Sequence, residues 1–184
     1  MKIFAAGILI IGAACLAPSR AQTNGIAPEW DIGKTLTAIA ADADRLAPYL
    51  DQIQPQQWLA KGAPDAYIAQ WKQCQIQAKA VAVSARTLSK NPEKLTDDLE
   101  LLFRIGSLEH MLVSLGQGVR RYQNPAIADL LHGAMAEGTA NREKLQQYIS
   151  DLASEREQQF RVADSEAQRC RGLLMKQPTA AEKK

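Results

Sequence analysis

The sequence predicts an all-α protein, an up-and-down antiparallel bundle of four to five helices within residues 22–174. Aromatic residues make up only 5% of the chain, and Ala, Leu, Gln, Glu and Lys outnumber the β-branched residues, a composition that favours helix. Apolar residues recur at alternating steps of three and four, which is typical of a helix with one buried face. The links between these stretches are short, so neighbouring helices should be antiparallel.

The first helix is expected over residues 30–54, and it stops at Pro55. Its apolar stripe consists of Leu36, Ile39, Ala43, Leu46, Leu50 and Ile53. A connector, "QPQQWLAKGAP", follows. Gly62 and Pro64 mark a turn in it, and Trp58 is expected to close one end of the core.

The second helix is expected from Pro64, which suits a first helical position, to about Lys90. Asp65 is favourable in the first turn because its charge complements the helix dipole. The apolar stripe consists of Tyr67, Trp71, Cys74, Ala78, Val81, Ala85 and Leu88. The pattern therefore places Cys74 on the core face.

Two Asn-Pro pairs predict the next two helix starts, because asparagine caps a helix and proline suits the position after the cap. Asn91-Pro92 begins the third helix and Asn124-Pro125 the fourth. The third helix is expected to end through Gly116 and Gly118. Its buried stripe consists of Leu101, Ile105, Leu108, Leu112 and Leu115.

The stretch from Pro125 to Leu174 contains no further proline. One uninterrupted helix would be about 75 Å long, well beyond the roughly 40 Å that the second or third helix could flank. Gly133 and Gly138 weaken its early part. Leu145, Ile149 and Leu152 form one stripe, and Phe160, Ala163, Ala167, Cys170 and Leu174 form another. Between them Ser154-x-x-Glu157 resembles a capping box. We therefore expect a break near residues 151–155; the alternative is a continuous helix that turns Arg156 inward.

The N-terminal segment of the chain predicts export. Residues 1–21 combine a lysine, an apolar run and small residues before Ala21, the pattern of a cleaved secretory signal. The mature protein is then periplasmic or secreted, with no transmembrane span after cleavage. Lipidation at Cys15 is an alternative with weaker sequence support. Residues 175–184 lose the helical periodicity and are expected to form a disordered tail.

The charge balance excludes some partners. The chain has a net charge of +2, and cleavage after Ala21 removes Lys2 and Arg20 but no acidic residue, so the mature protein is neutral. Neither nucleic acid nor an acidic membrane surface is therefore an expected partner through bulk charge.

Cys74 and Cys170 are the two cysteines left after signal removal, and a pair in an exported protein is usually a disulfide. If the chain reverses near Ser154, Cys170 returns to the level of Cys74; in an unbroken helix it lies far away. The predicted bond and the predicted break therefore depend on each other. The alternatives are an intermolecular bridge, a reactive thiol between Arg169 and Arg171, or an inert buried thiol.

The search for chemistry gives one candidate metal or haem site. His110 with Met111 and His132 with Met135 lie at similar depth on the third and fourth helices, and imidazole with thioether can bind copper or haem iron. Flanking histidines and gap-filling methionines are the structural alternative.

No catalytic arrangement is predicted. Glu109 is expected in a structural ion pair rather than in acid-base catalysis, because no second carboxylate or nucleophile accompanies it. Arg104 and Arg120 or Arg121 could pair with Glu109 or with other acidic residues. We expect a protein that is not an enzyme and has no cofactor.

The segments "QQWLAKGAPDAYIAQW", residues 56–71, and "VADSEAQRCRG", residues 162–172, resemble a family of uncharacterised exported bacterial all-helical proteins. The resemblance implies export and a helical fold, and it carries no activity. The sequence as a whole favours a non-enzymatic interaction or structural module of the cell envelope with a protein partner. It leaves the oligomeric state open.

Overall fold

The computed structural model describes residues 31–175, which form helices joined by short turns. The predicted signal, Cys15, Trp30 and the tail after Met175 lie outside these residues. The helices are α1 (Ile32–Arg45), α2 (Ala47–Leu50), α3 (Pro55–Trp58), a 3₁₀ turn (Leu59–Lys61), α4 (Ala66–Leu88), α5 (Leu95–Tyr122), α6 (Pro125–Glu137) and α7 (Thr139–Met175). No strand occurs among residues 31–175, and the predicted all-α class is confirmed.

Five of these helices pack into an up-and-down bundle. Helix α4 lies against α1 and α5, α6 packs on α5, and α7 packs on α1 and α5. Short links on either side of α5 make it antiparallel to both α4 and α6. Each residue of the predicted stripe on α1 and α2 is buried, as is the following Ile53.

Trp58 closes one end of the core, as predicted, and is only 1% exposed. Its ring centroid lies 5.5 Å from that of Tyr67 and 6.1 Å from that of Tyr122. The indole Nε1 donates a hydrogen bond of 3.1 Å to Oε1 of Gln123. Nε2 of Gln123 donates in turn to the carbonyl of Gln52, at 2.7 Å. The end of α5 is thereby tied to the chain that follows α2.

Helix α5 begins later and ends later than predicted. Asn91-Pro92 lies in a turn, and α5 starts at Leu95 without a side-chain cap. Asn124, by contrast, caps α6 as predicted, accepting a 2.9 Å hydrogen bond from the backbone N–H of Ala126. Gly118 lies within α5 rather than at its end, and its missing side chain leaves room for the ring of Tyr67. A Cβ there would lie 2.7 Å from Cε1 of Tyr67.

The predicted break near residues 151–155 is wrong, because α7 runs through Ser154 as one helix of 37 residues. The interruption lies earlier, at Gly138, which separates α6 from α7 with helical backbone angles. The continuous helix does not bury the charge of Arg156 in the core, as the sequence pattern had suggested it would. At that level α7 has passed the end of the bundle, and Arg156 lies at the surface 3.9 Å from Glu93.

The structure does not contain the predicted Cys74–Cys170 disulfide. Cys74 is fully buried in α4, Cys170 is exposed on α7, and both thiols are free. The straight helix carries Cys170 roughly 27 Å beyond Leu152, the last buried residue of α7. Cys74 lies inside the bundle, on the other side of Leu152 along the axis of α7. The Cα atoms of Cys74 and Cys170 are therefore much farther apart than the roughly 7 Å limit of a disulfide.

Candidate interaction surface

The histidines predicted as metal ligands are exposed and do not line a common pocket. Nδ1 of His110 lies 2.7 Å from the carbonyl oxygen of Gly106 in its own helix. His132 and Met135 line a groove between α5 and α6, and neither His110 nor Met111 is among its lining residues. Within residues 31–175 no group of three or more His, Cys, Asp or Glu could hold a metal ion. Metal or haem binding stays a prediction without support from this geometry.

Glu109 forms an ion pair, as expected, but its partner is Arg142 of α7, at 3.4 Å. Arg104 pairs instead with Glu100, and Arg120 pairs with Asp129. The Glu109–Arg142 pair borders an apolar cavity of about 60 Å³ in the bundle. Pockets for small organic ligands begin at roughly 300 Å³, so this cavity is too small for one.

Asp98 is a buried carboxylate that the sequence reasoning did not single out. It is 0% exposed on the core face of α5, and neither carboxylate oxygen has a hydrogen-bond partner. Desolvation by burial, with a contribution from the charge of Asp97, raises the pKa of Asp98 to about 7. Its position three residues before Leu101, on the same stripe, is the signal that could have identified it.

Tyr148 of α7 lies close enough to Asp98 for the two groups to influence each other. Burial, and then the charge of Asp98, raise the pKa of Tyr148. The Tyr148 hydroxyl donates a 2.9 Å hydrogen bond to the carbonyl of Pro92. This hydrogen bond fastens α7 to the turn before α5, at the end of the bundle where α7 leaves it.

Beyond this attachment α7 projects into solvent. Each residue in 154–171 is exposed, and the segment from Ser154 to Met175 is roughly 33 Å long at 1.5 Å per residue. Phe160 is 73% exposed and Leu174 is 67% exposed. Single exposed apolar side chains are ordinary on a protein surface, but a contiguous apolar stripe often marks an interaction site.

Five apolar residues of the projecting segment follow the spacing of a coiled coil, whereas the exposed Val162, Leu173 and Met175 lie off it. The five residues occur at alternating steps of three and four, as the a and d positions of a heptad do. We call this set the α7 seam; it consists of Phe160, Ala163, Ala167, Cys170 and Leu174. At 100° per residue the seam and the buried residues Leu145, Ile149 and Leu152 fall within an arc of about 80°. The core-facing side of α7 therefore continues beyond the bundle without a partner among residues 31–175.

Charged residues flank the seam on both sides. Glu157, Asp164 and Arg171 lie along one flank, and Glu166 lies on the other. Ser165 is on the opposite side of the helix from the seam. The distribution is that of an amphipathic helix suited to pairing with another helix.

Sequence reasoning found both stripes of α7 but assigned them to two helices of one core. It missed that the second stripe has no partner among the described residues. The signal was in the composition, because three of the five seam positions carry Ala or Cys, which bury little apolar area.

No protein-family model, no curated protein and no solved structure matches the chain. The resemblance to an exported helical family therefore stays a prediction. Within residues 31–175 no helix is long and apolar enough to cross a membrane.

Proposed function

We propose that this protein is a non-enzymatic interaction module of the cell envelope, in which the helical bundle is the scaffold and the projecting half of α7 is the binding element. The observation that carries the proposal is the α7 seam, a continuous apolar stripe exposed on a helix that is already formed. A preformed helix binds more tightly than a disordered segment with the same contacts, because it loses less conformational entropy on association.

The attachment of α7 supports this role. Leu145, Ile149 and Leu152 anchor the first half of the helix in the core. Tyr148 and Arg156 connect it to the turn before α5. The second half thus extends from a fixed base. The envelope location rests on the N-terminal sequence pattern, since residues 1–21 resemble a secretory signal.

Site-specific photo-crosslinking in cells that make the protein tests the proposal. A photoreactive amino acid at Ala167 lies in the seam, and the same amino acid at Ser165 on the opposite side of the helix is the matched control. We expect covalent adducts with another polypeptide from position 167 and few or none from position 165. Equal yields at the two positions, or crosslinks only within a single molecule, would contradict the proposal.

A further inference from the structure

We propose that the α7 seam binds the α7 seam of a second copy of this chain, with the two helices antiparallel. The proposal rests on the proposed function of the projecting helix as a binding element. It is carried by four observations: the direction in which the seam faces, the sizes of the seam residues, the charges on its flanks and the length of the projecting helix.

The direction of the seam selects the antiparallel orientation. The seam lies on the same face of α7 as Leu145, Ile149 and Leu152, which pack against the rest of the bundle. Paired helices lie about 8–10 Å apart. In a parallel, in-register pair, the first half of the second copy's α7 would therefore occupy the space that α1 and α5 already fill. In an antiparallel pair the two bundles lie at opposite ends.

The sizes of the seam residues fit an antiparallel pair centred between Ala167 and Cys170. Across this centre Ala167 lies opposite Cys170 of the second copy, and Ala163 lies opposite Leu174. Small residues at the centre let the two helices approach closely. Leu174 is then placed against a small residue rather than a second large one.

The charges fit the same register. In antiparallel coiled coils, the residues of one flank face the same flank of the partner helix. Asp164 then lies opposite Arg171 of the second copy, and the two-fold symmetry gives this pair twice. Glu166 on the other flank faces the uncharged Leu173, so the register creates no like-charge pair among these flanking residues.

The length of the projecting helix also suits this partner. With this centre, Met175 of the second copy lies within about one helical turn of Phe160. Phe160 lines a groove with Leu95 and Ala153 at the base of the bundle. The end of each α7 therefore reaches the base of the other bundle, and the seams cover each other over roughly two heptads.

Spin-label distances in the full chain test both the partner and its orientation. Labels are placed outside the seam, in the variants Ser165→Cys and Gln158→Cys, each combined with Cys170→Ser; Cys74 is fully buried and should not react. In the antiparallel dimer centred between residues 167 and 170, the two labels are roughly 32 Å apart along the helix axis at position 158 and roughly 10 Å apart at position 165, from the 1.5 Å rise per residue. The 158–158 distance should therefore be clearly the longer one. Equal distances would indicate parallel helices and overturn the proposal.

Sedimentation at millimolar protein concentration provides the second measurement. Ala167→Glu should weaken the dimer at least about tenfold, because it buries a charge in the seam, and Ser165→Glu should leave it unchanged. A protein that stays monomeric with no dipolar coupling, or a dimer insensitive to Ala167→Glu, overturns the proposal. The proposed function has a separate test: it is contradicted if photo-crosslinking from position 167 yields no more intermolecular adduct than crosslinking from position 165. Adducts with a different polypeptide alone overturn the self-association and retain the interaction module.

Discussion

Replacing Asp98 with asparagine should stabilise the protein at alkaline pH and have little effect at acidic pH. Asparagine has nearly the shape of a protonated aspartic acid and carries no charge. The carboxyl is fully buried and its oxygens have no hydrogen-bond partner. Its ionised form therefore has nothing to replace the water that it loses on folding.

The magnitude follows from the pKa. Burial raises the pKa of Asp98 from 3.8 to about 7, and each pKa unit corresponds to about 1.4 kcal/mol. Because the folded-state pKa is the higher one, the folded protein holds the proton more tightly. The free energy of unfolding is therefore highest below pH 3.8, and it falls as pH rises toward 7. The total loss is about 4 kcal/mol, and it is complete above the folded-state pKa.

Urea unfolding of the wild type and Asp98→Asn across this pH range is the assay. The difference in free energy of unfolding should be within about 1 kcal/mol near the acidic end and reach about 3 to 4 kcal/mol in favour of the variant at alkaline pH. Asp97→Asn is the matched control, since its exposed carboxylate should change stability by less than about 1 kcal/mol. A difference that does not vary with pH would refute the reasoning and show that Asp98 is solvated or paired in solution.

Three further predictions concern other parts of the chain. Gly118→Ala should lower the free energy of unfolding by about 1 to 3 kcal/mol, because the new methyl group would meet an aromatic ring; Gly116→Ala has open space and should stabilise by up to about 1 kcal/mol in urea unfolding. Cys170 should react with a thiol alkylating agent in the native protein, as mass spectrometry would show, whereas Cys74, whose pKa burial raises to about 11, should react only after unfolding. Copper titrations of wild type and His132→Ala should coincide, and tighter binding by the wild type would revive the metal hypothesis.

The helices and most of the core could be predicted because they depend on local periodicity. Leu36 and Leu50 are buried as the spacing indicates. Helix ends were less predictable, because the same motif acts differently in different surroundings. Asn124 caps α6, whereas Asn91 lies in a turn whose next residue, Pro92, accepts a hydrogen bond from Tyr148. That contact joins residues far apart in the sequence, so local patterns do not reveal it.

The candidate surface could be predicted only in part, since periodicity shows which residues share a face but not what covers that face. The disulfide argument assumed that the second stripe of α7 had to return to the core of its own chain. The structure instead carries that stripe past the bundle, where the small side chains of Ala163 and Ala167 would contribute little to a globular core. Small residues are suited to close approach between two helices. The same observation that weakens a core assignment therefore favours helix pairing, and it explains how Cys170 can lie on an apolar stripe and still be exposed.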